Sequence, residues 1–380
     1  MKDLVSQSFI TNPQIKTAGD EENEVVLLAV RIANAAAFPM VLKAALELGL
    51  FDILHSTAEG SFLTPAEIAC RLPTRPRNPD APTLLDRMLR LLASYDIVAC
   101  RTVHARDKDM VGEVQRVYGS KPICRFFLTS NQELGSLASQ VLVHHDQVFL
   151  STWTHLKDVV LEGGDAFSRA HGMKLFEYMG TDQRFRKIFN QSGCSTLMMK
   201  RLVEVYKGFE GVEVLVDVGG GIGTALGIIT SNYPNMRGIN FDIPCVIPLA
   251  PSYPRVEHVA GDMFVDVPKG DAIFMKRIIH DWTDEDSVKI LKNCWKALPG
   301  KGKVVLFEIV TPTEAESGDI YANISFDMDM LMFAHCSGGK ERDRAEFEAL
   351  AADAGFARCE FVCRVYHCWV IELHKDAINA

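Results

Sequence analysis

Four short apolar runs in the second half of the chain each lead into side chains that could do chemistry. The first, "VLVDVGGGIGT", brings Asp217 and then Gly219, Gly221 and Gly223; the second, "GINFD", ends in Asp242. A third leads into Asp262, Met263 and Phe264, and a fourth into Lys276 and His280 within "MKRIIHDWTDEDS". Glycines let the backbone turn sharply and approach a ligand closely. A dinucleotide fingerprint needs a third glycine at 224, where Thr224 stands. Asp217 at the mouth of the turn would repel a pyrophosphate and favour a cation. S-adenosylmethionine carries a sulfonium and an ammonium and no phosphate, so it suits such a turn. Asp242 is placed to accept both hydroxyls of a ribose, as in either cofactor class. Asp262 could take an adenine amino group, with Met263 and Phe264 against the ring. Ligands of parallel sheets bind at the carboxyl ends of strands, so three acids following three successive strands read as one set.

His280 falls at the same crevice and is the candidate general base. Two acids support it. Glu308 ends the run "KVVLFEIV", where a charge is costly without a partner, and Glu341 stands in "SGGKERDR". A carboxylate on one imidazole nitrogen fixes the tautomer and steadies the imidazolium formed when the other nitrogen takes a proton. Asp281, Asp284, Glu285 and Asp286 could suggest a divalent metal. Thr283 with Asp286 three residues on reads instead as a helix cap whose acids complement the helix dipole, so no metal is expected.

The elements that position these groups alternate. "VLVDV", "GINFD", "VEHV", "DAIFMK" and "KVVLFEIV" are short bounded runs suited to buried parallel strands, separated by helix-length stretches such as Thr224 to Asn232 and Asp284 to Leu298. "FARCEFVCRV" and "HCWVIEL" are too close for a crossover and should form an antiparallel hairpin. The expectation is an α/β fold: a doubly wound Rossmann-like sheet over residues 131–380, preceded by a mainly helical domain over residues 1–130. In that first domain Thr64, Pro65 and Glu67 form a capping box at the start of a helix. A second helix, "TLLDRMLRLLASYD", and two short strands follow, the order of a winged helix. Its leucines occupy more than one face, and residues 61–130 hold eleven Lys and Arg against seven Asp and Glu, too mild an excess for nucleic acid. Buried packing across a dimer interface is the expectation.

The 380 residues carry a net charge of −9, which argues against a polyanionic partner. The first residues lack a secretory apolar core, and the stretch from Val25 to Leu54 is broken by Arg31, Pro39 and Lys43. A cytoplasmic protein without a membrane span is expected. Ten cysteines without a CxxC pair read as reduced thiols.

"LVDVGGGIGT", "GINFDIP", "VEHVAGDMF", "GDAIFMKRIIHDWTDED", "KNCWKALPGKGKVV" and "GGKERD", in this order, resemble the caffeate O-methyltransferase type of plant small-molecule methyltransferase. The likeness extends through "ELGLFDIL", "LLDRMLRLLASYDIV", "WTHLKDVVLEGG" and "FEYMGTD". It implies a homodimer joined through the N-terminal domain and metal-independent methyl transfer from S-adenosylmethionine to an aromatic hydroxyl in secondary metabolism. Gly219, Asp242, Asp262, Met263 and Lys276 would hold the cofactor, with Asp217 and Gly221 in the same turn. His280 would be the base, flanked by Glu308 and Glu341.

The acceptor side departs from caffeate-specific members. Where those read Met-Asn-Gln-Asp, this chain has Val143, His144, His145 and Asp146; where they end in His-Asn-Pro, it has His335, Cys336 and Ser337. Met179 replaces the usual His after "FEY", and "FNQSGCSTLMMK" is two residues short. These changes resemble a subgroup acting on hydroxylated indoles in glucosinolate metabolism, so the expected acceptor is an aromatic hydroxyl, with hydroxyindoles ahead of phenylpropanoids and flavonoids. The expected acceptor pocket comprises Val143, His144, Phe149, Met179, Phe185, Phe189, Asp281, Leu331, Met332 and Cys336, a slot for a flat aromatic. Two other readings stay open: a nicotinamide-dependent dehydrogenase using the glycine turn, and a winged-helix DNA-binding regulator that senses a small molecule.

Overall fold

The computed structural model describes residues 18–58, 60–104, 114–129, 135–192 and 196–376. The loop joining the first two strands, residues 105–113, and Cys194 in the shortened segment lie outside them.

Among the described residues, five α-helices build the N-terminal part: α1 (Ala18–Ala33), α2 (Ala37–Glu47), α3 (Leu50–His55), α4 (Pro65–Arg71) and α5 (Ala81–Ser94). The capping box at α4 forms, with the Thr64 hydroxyl accepting from the Glu67 N–H and the Glu67 carboxylate accepting from the Thr64 N–H at 2.7 Å. Strands β1 (Val98–His104) and β2 (Val114–Ser120) then pair antiparallel. Leu85, Leu89 and Leu92 of α5 are buried within this domain's own core rather than left for a partner, and Leu84 stays exposed. A wide apolar surface does remain on α1, where Val25, Val26, Leu27 and Leu28 are all more than half exposed. Among the described residues no single helix is long and apolar enough to cross a membrane.

Seven helices bridge to the second part: α6 (Ala138–His144), α7 (Gln147–Thr152), α8 (Leu156–Glu162), α9 (Ala166–His171), α10 (Leu175–Thr181), α11 (Gln183–Ser192) and α12 (Thr196–Val205). Helix α6 buries Ala138 in the N-terminal core, while Val143 at its other end joins a core cluster with Phe149, Phe185 and Met332.

The runs expected as strands form one sheet: β3 (Val214–Val218), β4 (Arg237–Asp242), β5 (Val256–Ala260), β6 (Ala272–Lys276), β7 (Lys303–Glu308), β8 (Arg358–Val365) and β9 (Cys368–His374). Their order is β5-β4-β3-β6-β7-β9-β8, parallel from β5 to β7 and antiparallel from there to the edge. Helices α13 (Thr224–Asn232), α14 (Asp284–Ala297), α15 (Ile320–His335) and α16 (Arg344–Ala354) complete the domain. Val216, Ile273, Val304 and Ile371 face a core cluster that includes Leu291 and Phe347, while Leu215, Phe274 and Val305 face another with Leu202 and Leu226. This alternation on a sheet covered on both faces is why the strands read as continuous apolar runs. The order reverses at β3, where chain progress switches from one side of the sheet to the other, and a crevice opens at the carboxyl ends there.

Candidate active site

That crevice holds a cavity of about 530 Å³, well within the range of small-molecule sites. One half is walled by the ends of β3, β4, β5 and β6; the other by α6, α7, α10, α11, α12 and α15.

In the first half Gly219 adopts φ 70 and Gly221 φ 59, left-handed values that favour glycine. A Cβ at Gly219 would run into Ile278, whereas the space around Gly221 is open. The Gly221 N–H is donated to Asp242 Oδ2 at 2.7 Å, and Asp242 Oδ1 accepts the Ile243 N–H at 2.7 Å. Asp262 Oδ1 accepts the Phe264 N–H at 2.9 Å. All seven cofactor candidates, Asp217, Gly219, Gly221, Asp242, Asp262, Met263 and Lys276, line the cavity. Asp217 is 1% exposed and its Oδ2 has no hydrogen-bond partner. Burial pushes its carboxyl up to about 7; Lys276 pulls against this, and Asp242 adds to it. A buried carboxylate oxygen without a donor fits a cationic ligand, so the residues present suit S-adenosylmethionine.

His280 sits on a 3-10 turn, Ile279–Asp281, just beyond β6. The segment before α16 grips that turn from several sides. Its Lys340 N–H is donated to the His280 carbonyl at 2.9 Å, and Arg342, wholly buried, donates to the carbonyls of Ile279 and Trp282 at 2.8 Å each. Between them Glu341 Oε1 lies 2.9 Å from His280 Nδ1. The hydrogen therefore rides on Nδ1, and Nε2, 3.5 Å from Asp281 Oδ1, is the nitrogen left to take a proton. Burial opposes the imidazolium, but Glu341 and Asp281 outweigh it and raise the His280 pKa above the ordinary 6.5. Burial likewise works against the Glu341 charge, yet His280 and Arg277 hold its pKa below the usual carboxylate value.

Glu308 lies beside the imidazole but makes its hydrogen bonds to the backbone rather than to the ring. Its Oε1 accepts the N–H groups of Ile278 and Ile279 at 2.8 and 2.9 Å, so it shapes the backbone that carries the base. His280, Glu308 and Glu341 each offer an atom within 4.8 Å of the others. With Glu308 Oε1 on two backbone donors and Glu341 Oε1 on the imidazole, the arrangement can orient His280 as a base.

On the acceptor side Val143, His144, Phe149, Met179, Phe189, Asp281, Met332 and Cys336 line the cavity as expected, and Phe185 and Leu331 do not. Phe185 lies a layer behind, edge-on to Phe149 at 5.1 Å. Along α15 the stripe facing inward is Met328, Met332 and His335, at i, i+4 and i+7; Leu331 falls to one side of it. Asp281 accepts from Cys336 Sγ at 3.3 Å.

Among the lining side chains not foreseen as site residues, four are polar or ring groups facing the reacting region: Arg277, Trp282, His335 and His367. His335 is buried, stacks on Phe149 at 3.7 Å, and leaves its Nε2 unpartnered. Burial, and after it His144, lower its pKa to about 3, while burial and then Arg277 lower that of His144 to about 4. The stripe through Met332 would have pointed to His335. Because β9 runs antiparallel to β7, with Trp369 opposite Glu308, a residue just before β9 must lie beside the crevice; this would have found His367. Trp282 stacks on Phe176 at 5.4 Å and meets Phe264 edge-on at 4.7 Å.

Residues 153–357 match the family model described as an O-methyltransferase domain, and residues 30–130 the model described as an O-methyltransferase dimerisation domain. The chain is 66% identical to indole glucosinolate O-methyltransferase 1 of Arabidopsis thaliana, over 98% of this chain and 99% of that protein. It is 50% identical to a caffeic acid 3-O-methyltransferase of Catharanthus roseus, over 96% of this chain and 99% of the relative. Human N-acetylserotonin methyltransferase, solved in complex with S-adenosylmethionine, shares the fold at 22% identity with a TM-score of 0.78, over 93% of this chain and 98% of that one.

Proposed function

This chain belongs to the S-adenosylmethionine-dependent O-methyltransferases of plant caffeate and indole glucosinolate type, and from that premise we propose that it methylates a hydroxyl on an indole ring, as a cytoplasmic homodimer of secondary metabolism. Relatives at 60 to 66% identity are named as indole glucosinolate O-methyltransferases, and caffeate relatives stand near 50%. The dehydrogenase and DNA-regulator readings have no support from the family match.

The observation that carries the mechanism is the 2.9 Å contact between His280 Nδ1 and the Glu341 carboxylate, which places the hydrogen on Nδ1 and leaves Nε2 as acceptor. When bound, S-adenosylmethionine supplies an activated methyl on a sulfonium leaving group. Asp242 and Asp262 would hold its ribose and adenine, and Asp217 its cationic end. An aromatic hydroxyl with a pKa of about 10 is not ionised beforehand by an imidazole, even one held above its ordinary range by Glu341 and Asp281, so His280 Nε2 removes the proton as the oxygen attacks. The imidazolium then rests between Glu341 and Asp281. The protein's further share is alignment and exclusion of water, from the stacked Phe149 and His335 wall and the Met179, Phe189 and Met332 faces around it.

Polar groups that read a phenylpropanoid's substituents in caffeate-type members are replaced here by His144 and Cys336, which supports the indole acceptor. The exposed apolar face of α1 supports a second copy of the chain as its cover. A panel of hydroxyindoles, hydroxycinnamates and flavonoids, each incubated with methyl-labelled cofactor, tests the reading. Hydroxyindoles are expected to take the label fastest; label going to hydroxycinnamates alone would overturn the indole assignment.

A further inference from the structure

Arg277 has no part in the proton transfer assigned to His280, yet its backbone is twisted into the left-handed region at φ 54. A long side chain persists there only when its surroundings over-determine it, and such residues collect at functional sites. Its N–H is donated to the Phe307 carbonyl at 3.1 Å, which fixes the twist to β7. The twist delivers the guanidinium, 19% exposed, to the cavity wall, 3.4 Å from Glu341 Oε1 and 3.4 Å from His280 Nδ1. Nδ1 carries one hydrogen and Glu341 takes it, so Arg277 meets the imidazole as a charge.

The imidazole is otherwise surrounded by acids. Glu308 faces it from β7, Glu341 from the segment before α16 and Asp281 from its own turn; around these acids and Arg277 stand the Cys336 thiol at the end of α15, Asp329 within α15, which accepts the Glu341 N–H, and His367 and the Cys368 thiol at the hairpin tip. Three carboxyl groups in one buried pocket would favour a permanently protonated imidazole, which accepts no proton. We propose that Arg277 is a positioning residue for the transfer reaction: one fixed cation against the His280–Glu341 pair keeps the imidazole neutral between turnovers and its carboxylate anchor ionised. The directions agree, since Arg277 lowers the proton affinity of both partners. The inference rests on His280 being the base.

Arg277→Gly removes the charge and relieves the left-handed backbone; Arg277→Lys keeps both. Methyl transfer is measured for each from about pH 5.5 to 9, with the cofactor dissociation constant and the thermal midpoint of the same samples. In Arg277→Gly the acid limb of the pH–rate profile is expected to move up by about one pH unit, the low end of what a neighbouring charge does. The rate deficit is then about tenfold below the limb and narrows as pH rises, without a lower thermal midpoint. Arg277→Lys restores the limb toward its original place. An acid limb unmoved in Arg277→Gly, or an equal loss at every pH in both variants, would overturn the proposal. His280→Ala separates the two levels of the argument: if the wild-type limb persists in it, the base assignment fails, whereas a limb lost in His280→Ala and unmoved in Arg277→Gly sinks only the role of Arg277.

Discussion

Replacing Asp217 by Asn should make the protein more stable and a poorer cofactor binder at once. Asp217 is 1% exposed, and burial raises its carboxyl from 3.8 to about 7. That gap of about three pH units corresponds to about 4 kcal/mol, at about 1.36 kcal/mol each, as a ceiling on what the buried charge costs the cofactor-free fold. The sign follows from linkage. A carboxyl whose folded pKa is raised contributes stability that is full below its unfolded value near 3.8 and is lost as pH rises through 7. The gain from Asp217→Asn should therefore be near zero at pH 4 and largest at pH 8. Asn240 Oδ1 is also buried without a partner and, like Asp217, packs against Gly220, so an amide at 217 brings a donor toward it. Loss of a charge-assisted contact of about 1.5–3 kcal/mol would weaken S-adenosylmethionine about tenfold to a hundredfold. Thermal melting at pH 5 and pH 8, with and without cofactor, plus titration calorimetry, reads both effects. A variant that melts lower at pH 8 and binds the cofactor as tightly as the wild type would refute the reasoning.

Glu341→Gln removes the strongest charge favouring the imidazolium, so the acid limb of the pH–rate profile should move to lower pH, opposite to Arg277→Gly, while the maximal rate falls; a limb moving upward would count against the Glu341 assignment. Gly219→Ala meets both a φ of 70 and the side chain of Ile278, two residues before the base. It should lower stability by about 1–3 kcal/mol in denaturant unfolding and weaken cofactor binding; a loss under about 0.5 kcal/mol would argue against so tight an approach.

The sheet was legible because a doubly covered parallel sheet needs apolar runs on both faces, and each run from "VLVDV" to "KVVLFEIV" ended at the crevice. For the same reason the cofactor residues were legible: strand ends are fixed by the runs before them. The acceptor wall was less so. Phe185 and Phe189 look alike in sequence, but only helix orientation decides that Phe189 meets the cavity while Phe185 packs behind Phe149. Glu308 was found as a buried acid at the site, yet its choice of backbone donors over the imidazole depends on how the Ile278–Ile279 peptides turn. Arg277 left no trace, since no periodicity announces a left-handed backbone at a non-glycine residue.

The most direct test of the account is His280→Ala assayed on one preparation for two quantities, the affinity for S-adenosylmethionine and the rate of methyl transfer to the best aromatic acceptor. The account predicts an affinity close to the wild type, because the cofactor half of the cavity does not depend on the imidazole, and a rate lower by about a hundredfold or more, the scale of a general base. Transfer at an undiminished rate would contradict it.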